Sequence, residues 1–190
     1  MVRRTNTQRA ILDLAESFLQ DKGFNGFSYA HIATELGVKN AAIHYHFPSK
    51  EQLVCAVIQR YRDRFKLWIN NSRVKALSPE EKLDWFFNIY TKTGEDHGKV
   101  CLAGSLETEF NSIPDSLREQ TQALTKELLA WLQATLKEGK QAGSFHFNGD
   151  PADKATLILS SLQGALQMAR AMGRAKFHAV IEQNKQDLLK

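Results

Sequence analysis

The chain has 190 residues, 43% hydrophobic and 24% charged with four prolines, which excludes a disordered polymer and leaves ample material for a buried core. A formal net charge of +4 permits an anionic partner but does not identify one, so the local placement of cations must decide. Two cysteines are too few for a disulfide framework, Val2-Arg3-Arg4 leads into no apolar signal region, and the apolar stretch 155–172 is broken by Ser160, Ser161, Gln163, Gln167 and Arg170; together these predict a cytoplasmic chain without a membrane span.

Apolar residues recur at helical spacing from the start. Ile11, Leu14, Ala15 and Phe18 form an i, i+3, i+4, i+7 stripe that Gly23 ends. Ser28 can cap a second helix carrying Tyr29, Ile32, Ala33 and Leu36, stopped by Gly37; a short third runs from about Lys39 to Phe47, where Pro48 forbids continuation. Ser49 with Gln52 predicts a capped fourth helix bearing Leu53, Val54, Val57, Ile58, Tyr61, Phe65 and Trp68. Ser78-Pro79-Glu80-Glu81 is a clearer start, with serine as cap, proline at the first helical position and glutamate at the third. Further helices are expected over 101–111, 115–141, 151–172 and 175–189, the 151–172 helix capped by Asp150. Ser144 to Asn148 reads as a loop with at best a short extended piece. No stretch alternates with period two for long, so the expected fold is all-α with about nine helices.

The stretch from Ser28 to Lys50 carries the chemistry. Two short helices joined by a turn containing Gly37 make a helix-turn-helix, whose second helix enters the major groove of DNA. Val38 and Ile43 are expected to lock the pair against Leu12 and Phe18. The outer face of the third helix then carries Lys39, Asn40, His44, Tyr45 and His46, with only Ala41 and Ala42 between, so its backbone can approach DNA closely. Asn40 can offer its amide to an adenine edge and Ala42 its methyl to thymine, while Lys50 sits at a helix start whose free N–H groups favour an anion.

The ordered pattern Gly37-Val38 through Ile43-x-Tyr45-His46-Phe47-Pro48-Ser49-Lys50-Glu51-x-Leu53, preceded by Gly23-Phe24 and Ile32-Ala33, resembles the signature of the TetR family over residues 8–58. The resemblance implies a homodimer, a three-helix DNA-binding domain at residues 1–50, and an effector-binding and dimerising domain at 51–190. It places Asn40, Ala41, Ala42 and His44 at base-reading positions, and Ser28, Tyr29, Tyr45, His46 and Lys50 at phosphate-touching ones. Alanines at 41 and 42 and the histidine at 44 depart from common relatives, which leaves the operator sequence open. The partners it implies are a double-stranded, palindromic operator, a small-molecule effector and a second copy of the chain.

Further along, Cys101-Leu102 with Leu106 and Glu109 resembles a motif of one TetR branch in which the cysteine senses electrophiles or oxidants, although Val100 replaces the motif's glycine. A helix start at Cys101 with His97 and Lys99 nearby favours a thiolate; a buried, inert thiol is the other reading. Cys55 reads as core. Trp68, Trp85, Phe86 and Tyr90, with Phe110, Trp131, Met168 and Met172, are either plain core or the lining of an apolar effector pocket. In the last two helices Ile158, Leu162, Gly164 and Leu166, with Phe177 and Ile181, are expected at a helix-to-helix contact between two subunits. No glycine-rich phosphate loop, Gly-x-Ser-x-Gly elbow or metal-ligand spacing is present, so no catalytic residue, cofactor or metal is expected. The competing class is a helical ligand- or partner-binding module that does not bind DNA.

Overall fold

A computed structural model describes residues 2–95 and 98–189, with side chains from Asn6 onward. Ten helices are seen among the described residues: α1 (Val2–Lys22), α2 (Tyr29–Leu36), α3 (Asn40–His46), α4 (Lys50–Asn70), α5 (Ser72–Lys75), α6 (Pro79–Glu95), α7 (Leu102–Thr108), α8 (Asp115–Ala142), α9 (Pro151–Met172) and α10 (Ala175–Leu189). No strand occurs among these residues, and 144–148 is loop throughout. None of the helices is long and apolar enough to cross a membrane.

The local start signals work as the side-chain chemistry requires. Ser78 Oγ accepts from Glu81 N at 3.2 Å while Glu81 Oε2 accepts from Ser78 N at 2.8 Å, a reciprocal capping box that satisfies two otherwise orphaned donors. Ser49 Oγ accepts from Gln52 N at 3.1 Å, and Asp150 Oδ1 from Ala152 N at 2.7 Å. The added helix, α5, is a single turn capped by Asn71, whose Oδ1 accepts from Arg73 N at 2.9 Å. Four residues are too few to show a period, so only the structure reveals it. The seventh helix starts at Leu102 and ends at Thr108, shorter than the pattern predicts, because the chain turns at 109–112 with Ser112 N donating to Glu109 O at 2.8 Å.

The chain divides into two compact units, one comprising residues 1–65 and 102–124 and the other 66–101 and 125–190. Both α4 and α8 run unbroken across the division. In the first unit the buried stripe of α1 is Ile11, Ala15 and Leu19, an i, i+4, i+8 row. Leu12, Leu14, Phe18 and Val38 are half-buried and Ile43 is buried. Phe18 stacks on Phe27 at 5.6 Å between ring centroids. Arg60 of α4 bridges Asp13 and Glu16 of α1, each at 2.6 Å, and fixes that helix pair. In the second unit Lys82 reaches Glu138 and Lys185 reaches Asp84, both at 2.8 Å, tying α6 to α8 and α10 to α6. Asn184 of α10 links the last two helices: its Nδ2 donates to Ser161 Oγ of α9 and to Val180 O of its own helix, each at 2.9 Å.

Candidate functional site

The turn between α2 and α3 is Gly37, Val38 and Lys39. Gly37 holds φ at 64°, a left-handed conformation that only glycine adopts cheaply, and Val38 N donates back to Ala33 O at 3.0 Å. Ile32, Ala33, Ile43 and Phe47 are buried and set the roll of α3 about its axis. Its opposite side carries Lys39, Asn40, Ala41, His44 and Tyr45 in the open, with Ala42 and His46 half-buried at its margin. Tyr45 is 64% exposed. A helix this short presents two turns outward, so hydrogen-bonding groups and methyls alternate along one edge without bulk to hold a flat surface away. The His44 ring meets Tyr29 edge-on at 4.7 Å, and its Nδ1 lies 3.3 Å from Pro48 O, which turns Nε2 into the group available to a partner.

Two residues assigned to phosphates are differently engaged. Tyr29 is buried, its hydroxyl donates to Phe47 O at 2.8 Å, and burial pushes its pKa up to about 12. That hydroxyl fastens α2 to the end of α3 and is not presented to a ligand. The Lys50 ammonium donates to the carbonyls of Phe24 and Phe27 and sits 4.4 Å from the centroid of each of their rings. Desolvation lowers its pKa, opposed by the charge of Glu109. One of its three donors remains for an anion. Ser28 is exposed, and its N–H donates to His31 Nδ1 at 3.0 Å, so a histidine stands where a capping box has glutamate or glutamine. Lys50→Met is expected to lower folding stability by about 1–2 kcal/mol through the two lost charged hydrogen bonds. A urea melt of wild type and variant checks this; unchanged stability would show that the contacts with the Phe24 and Phe27 carbonyls do not hold the loop.

In the second unit four aromatic residues from three helices form a continuous row. Trp68 of α4 lies 4.9 Å from Trp131 of α8, Trp131 lies 5.4 Å from Phe86 of α6, and Phe86 lies 5.2 Å from Tyr90. The row ends at Cys101, whose Sγ is 3.6 Å from the Tyr90 hydroxyl and which is only 3% exposed. The other expected lining residues are elsewhere. Trp85, Met168 and Met172 are 50%, 49% and 61% exposed, and Phe110 belongs to the first unit. Trp85 sits next to Phe86, and adjacent residues on a helix point about 100° apart, so one of the two faces outward. His97 lies outside the described residues.

The expected dimer residues divide by burial. Ile158, Leu162, Leu166, Phe177 and Ile181 are all buried in this unit's own interior, five per cent exposed or less, and have no side-chain surface left for a partner. Gly164 is exposed with nothing within 4 Å of where a Cβ would stand. It lies on a different stripe of α9, with Leu157 at 58% exposure, Met168 and Met172. Pattern alone does not single out Leu157 because both stripes are apolar; an exposed leucine followed at i+7 and i+11 by glycine and methionine is the signal that burial makes readable.

Two family profiles together span most of the chain: "Bacterial regulatory proteins, tetR family" matches residues 11–57, and "Tetracyclin repressor-like, C-terminal domain" matches residues 79–183. The chain belongs to the TetR family. It is similar to the crystal structure of a TetR-family transcriptional regulator from Agrobacterium tumefaciens, with TM-score 0.90 and 28% identity covering 98% of this chain and 100% of that one. A TetR transcriptional regulator from Legionella pneumophila gives TM-score 0.81 and 34% identity over 94% and 95% of the two chains. Among curated proteins, the HTH-type transcriptional repressor DhaR of Mycobacterium sp. (strain GP1) is 23% identical over 164 residues, 86% of this chain and 82% of that protein. The TetR-family chain is therefore a DNA-binding transcriptional regulator and not an enzyme, with dimers the family's working form.

Proposed function

We propose that this TetR-family chain is a cytoplasmic, homodimeric repressor that reads a palindromic operator with α3 of each subunit and releases it when a small molecule occupies the aromatic core of the second unit. The observation that carries the reading is the outward edge of α3: Lys39, Asn40, Ala41, His44 and Tyr45 exposed on a helix whose roll is fixed by Ile43 and Phe47. Asn40 pairs with an adenine edge, Ala41 and Ala42 pack on thymine methyls, and His44 reads a base through Nε2. Lys39, Tyr45, His46 and the Ser28 hydroxyl take phosphates, with the last donor of Lys50. Residues 1–50 are the reading part and 51–190 the sensing and dimerising part.

The row Trp68, Trp131, Phe86 and Tyr90 supports an apolar, preferably aromatic effector, since flat rings from three helices can part to admit a flat ligand. Cys101 ends this row, so a group added to its sulfur displaces the Tyr90 hydroxyl; this favours modification of the thiol as a second route to release, in keeping with the motif around Leu102, Leu106 and Glu109. The exposed stripe Leu157, Gly164, Met168 and Met172 is assigned to the partner subunit. The name of the similar DhaR, a repressor, supports repression over activation.

Selection of bound duplexes from a random pool tests the reading. The enriched sequence is expected to be an inverted repeat with half-site centres about 34 Å, or a multiple, apart. Asn40→Ala is expected to cost about 1–3 kcal/mol at one base pair per half-site and nothing on unrelated DNA. An enriched motif without two-fold repetition, or equal weakening on all sequences, overturns the assignment.

A further inference from the structure

The loop that leads from α1 into α2 is gripped on both sides by charged side chains from distant parts of the chain. α1 ends at Gly23, where φ is 75°, and the next two N–H groups, of Phe24 and Asn25, point the same way. Successive backbone N–H groups after a left-handed residue form a concavity suited to an anion. The carboxylate of Glu109 fills it, Oε2 accepting from Phe24 N and Oε1 from Asn25 N at 3.1 Å. Glycine at 23 is required twice over, since a Cβ there would stand 2.5 Å from Glu109 Oε2 and 2.8 Å from its Cδ. The grip extends beyond one residue: Asn25 Nδ2 donates to Ser112 Oγ at 3.1 Å, and the buried Ser105 hydroxyl of α7 donates to Leu19 O on the last turn of α1. From the other side Lys50 holds the carbonyls of Phe24 and Phe27, and its charge is complementary to that of Glu109. Ser28, the cap of α2, follows immediately.

We infer that Glu109 is a positioning residue of the DNA-reading unit: by occupying this backbone anion site it fixes the loop from which α2 and α3 hang, and so sets the pose in which α3 presents its outward edge. The carboxylate does not touch DNA. It acts through loop 23–27. This rests on α3 being the reading helix, but the latch itself is observable in the absence of DNA.

The test uses the full chain as wild type, Glu109→Gln and Glu109→Ala, with two duplexes of equal length, one enriched from the random pool and one unrelated. A loss of fold weakens both duplexes alike, whereas a loss of pose weakens only the one whose base edges must be met. Glu109→Ala is expected to bind the enriched duplex about tenfold more weakly and the unrelated one within about twofold of wild type, with Glu109→Gln between them because it keeps one acceptor. In the free protein, amide exchange at Phe24 and Asn25 is expected to accelerate by at least about tenfold in Glu109→Ala while amides in the middle of α4 keep their wild-type rates. Equal weakening on both duplexes, no weakening on either, or unchanged exchange at Phe24 and Asn25 overturns the proposal. Absence of sequence preference in the wild type would strike the reading of α3, and the exchange rates would still decide the latch.

Discussion

A Met168→Glu chain is expected to fold and to run as a monomer, while Leu166→Glu, two residues away, is expected not to fold. Leu166 is 1% exposed and lies against α6, close enough that a Cβ on Gly94 would stand 2.8 Å from its Cδ2. A carboxylate there has no partner, and an unpaired buried charge costs on the order of 3–5 kcal/mol or more, a large share of the stability of a chain this size. Met168 has about half its surface open, so glutamate at that site meets water in the single chain and costs little. If the Leu157, Gly164, Met168 and Met172 stripe is the partner contact, the same carboxylate meets its own copy across a two-fold axis, two like charges in a drying interface. The monomer then loses the second half-site, and operator affinity is expected to fall by about 10²–10⁴-fold through lost avidity. Sedimentation, helical circular dichroism and operator titration of both variants check this. A Met168→Glu chain that sediments as a dimer moves the interface off this stripe; a folded Leu166→Glu chain contradicts the burial.

The contrast between positions 166 and 168 also shows where sequence reading stops. A cap is a local affair between residues three apart, so Ser78 with Glu81 is legible before any fold is known, as are the glycine at 37 and the proline at 48 that bound α3. The helix-turn-helix was legible for the same reason: its turn, its buried Ile43 and its polar outer edge lie within one short stretch. In α9 the sequence offers two apolar stripes, and only packing against α6 and α10 decides that Leu162 and Leu166 go inside while Leu157 and Met168 stay out. Lys50 is a different case. A cation at a helix start is a sound phosphate candidate, but two carbonyls from Phe24 and Phe27, over twenty residues away, are delivered to it by the fold and take two of its donors. Glu109 was visible as part of a motif without a stated role, since its partners are backbone N–H groups that no side-chain pattern marks.

With the native protein and a small thiol reagent, Cys55 is expected to react first and Cys101 to lag by about 10²–10³-fold, the factor set by a local opening of roughly 3–4 kcal/mol. Cys55 is half-buried, and burial raises its pKa, with the nearby Glu51 adding to the rise and the Ser116 hydroxyl at 4.0 Å opposing it. It is reachable but slow, as a raised thiol pKa leaves little thiolate at neutral pH. Cys101 is 3% exposed behind the Tyr90 hydroxyl, so a reagent reaches it only when that contact opens. A Cys101→Ser chain should therefore retain the faster phase, and a Cys55→Ser chain only the slow one. If opening at Cys101 competes with the pose that binds DNA, linkage requires that operator DNA slow the Cys101 phase further while leaving Cys55 unchanged, because a state disfavoured by one ligand is equally disfavoured for the reaction that needs it. Cys101 reacting as fast as a free thiol would show that the contact with Tyr90 is open most of the time, and would make the thiol a direct sensor. A slow phase indifferent to operator DNA would separate Cys101 from regulation and leave the aromatic row alone as the site where an effector acts.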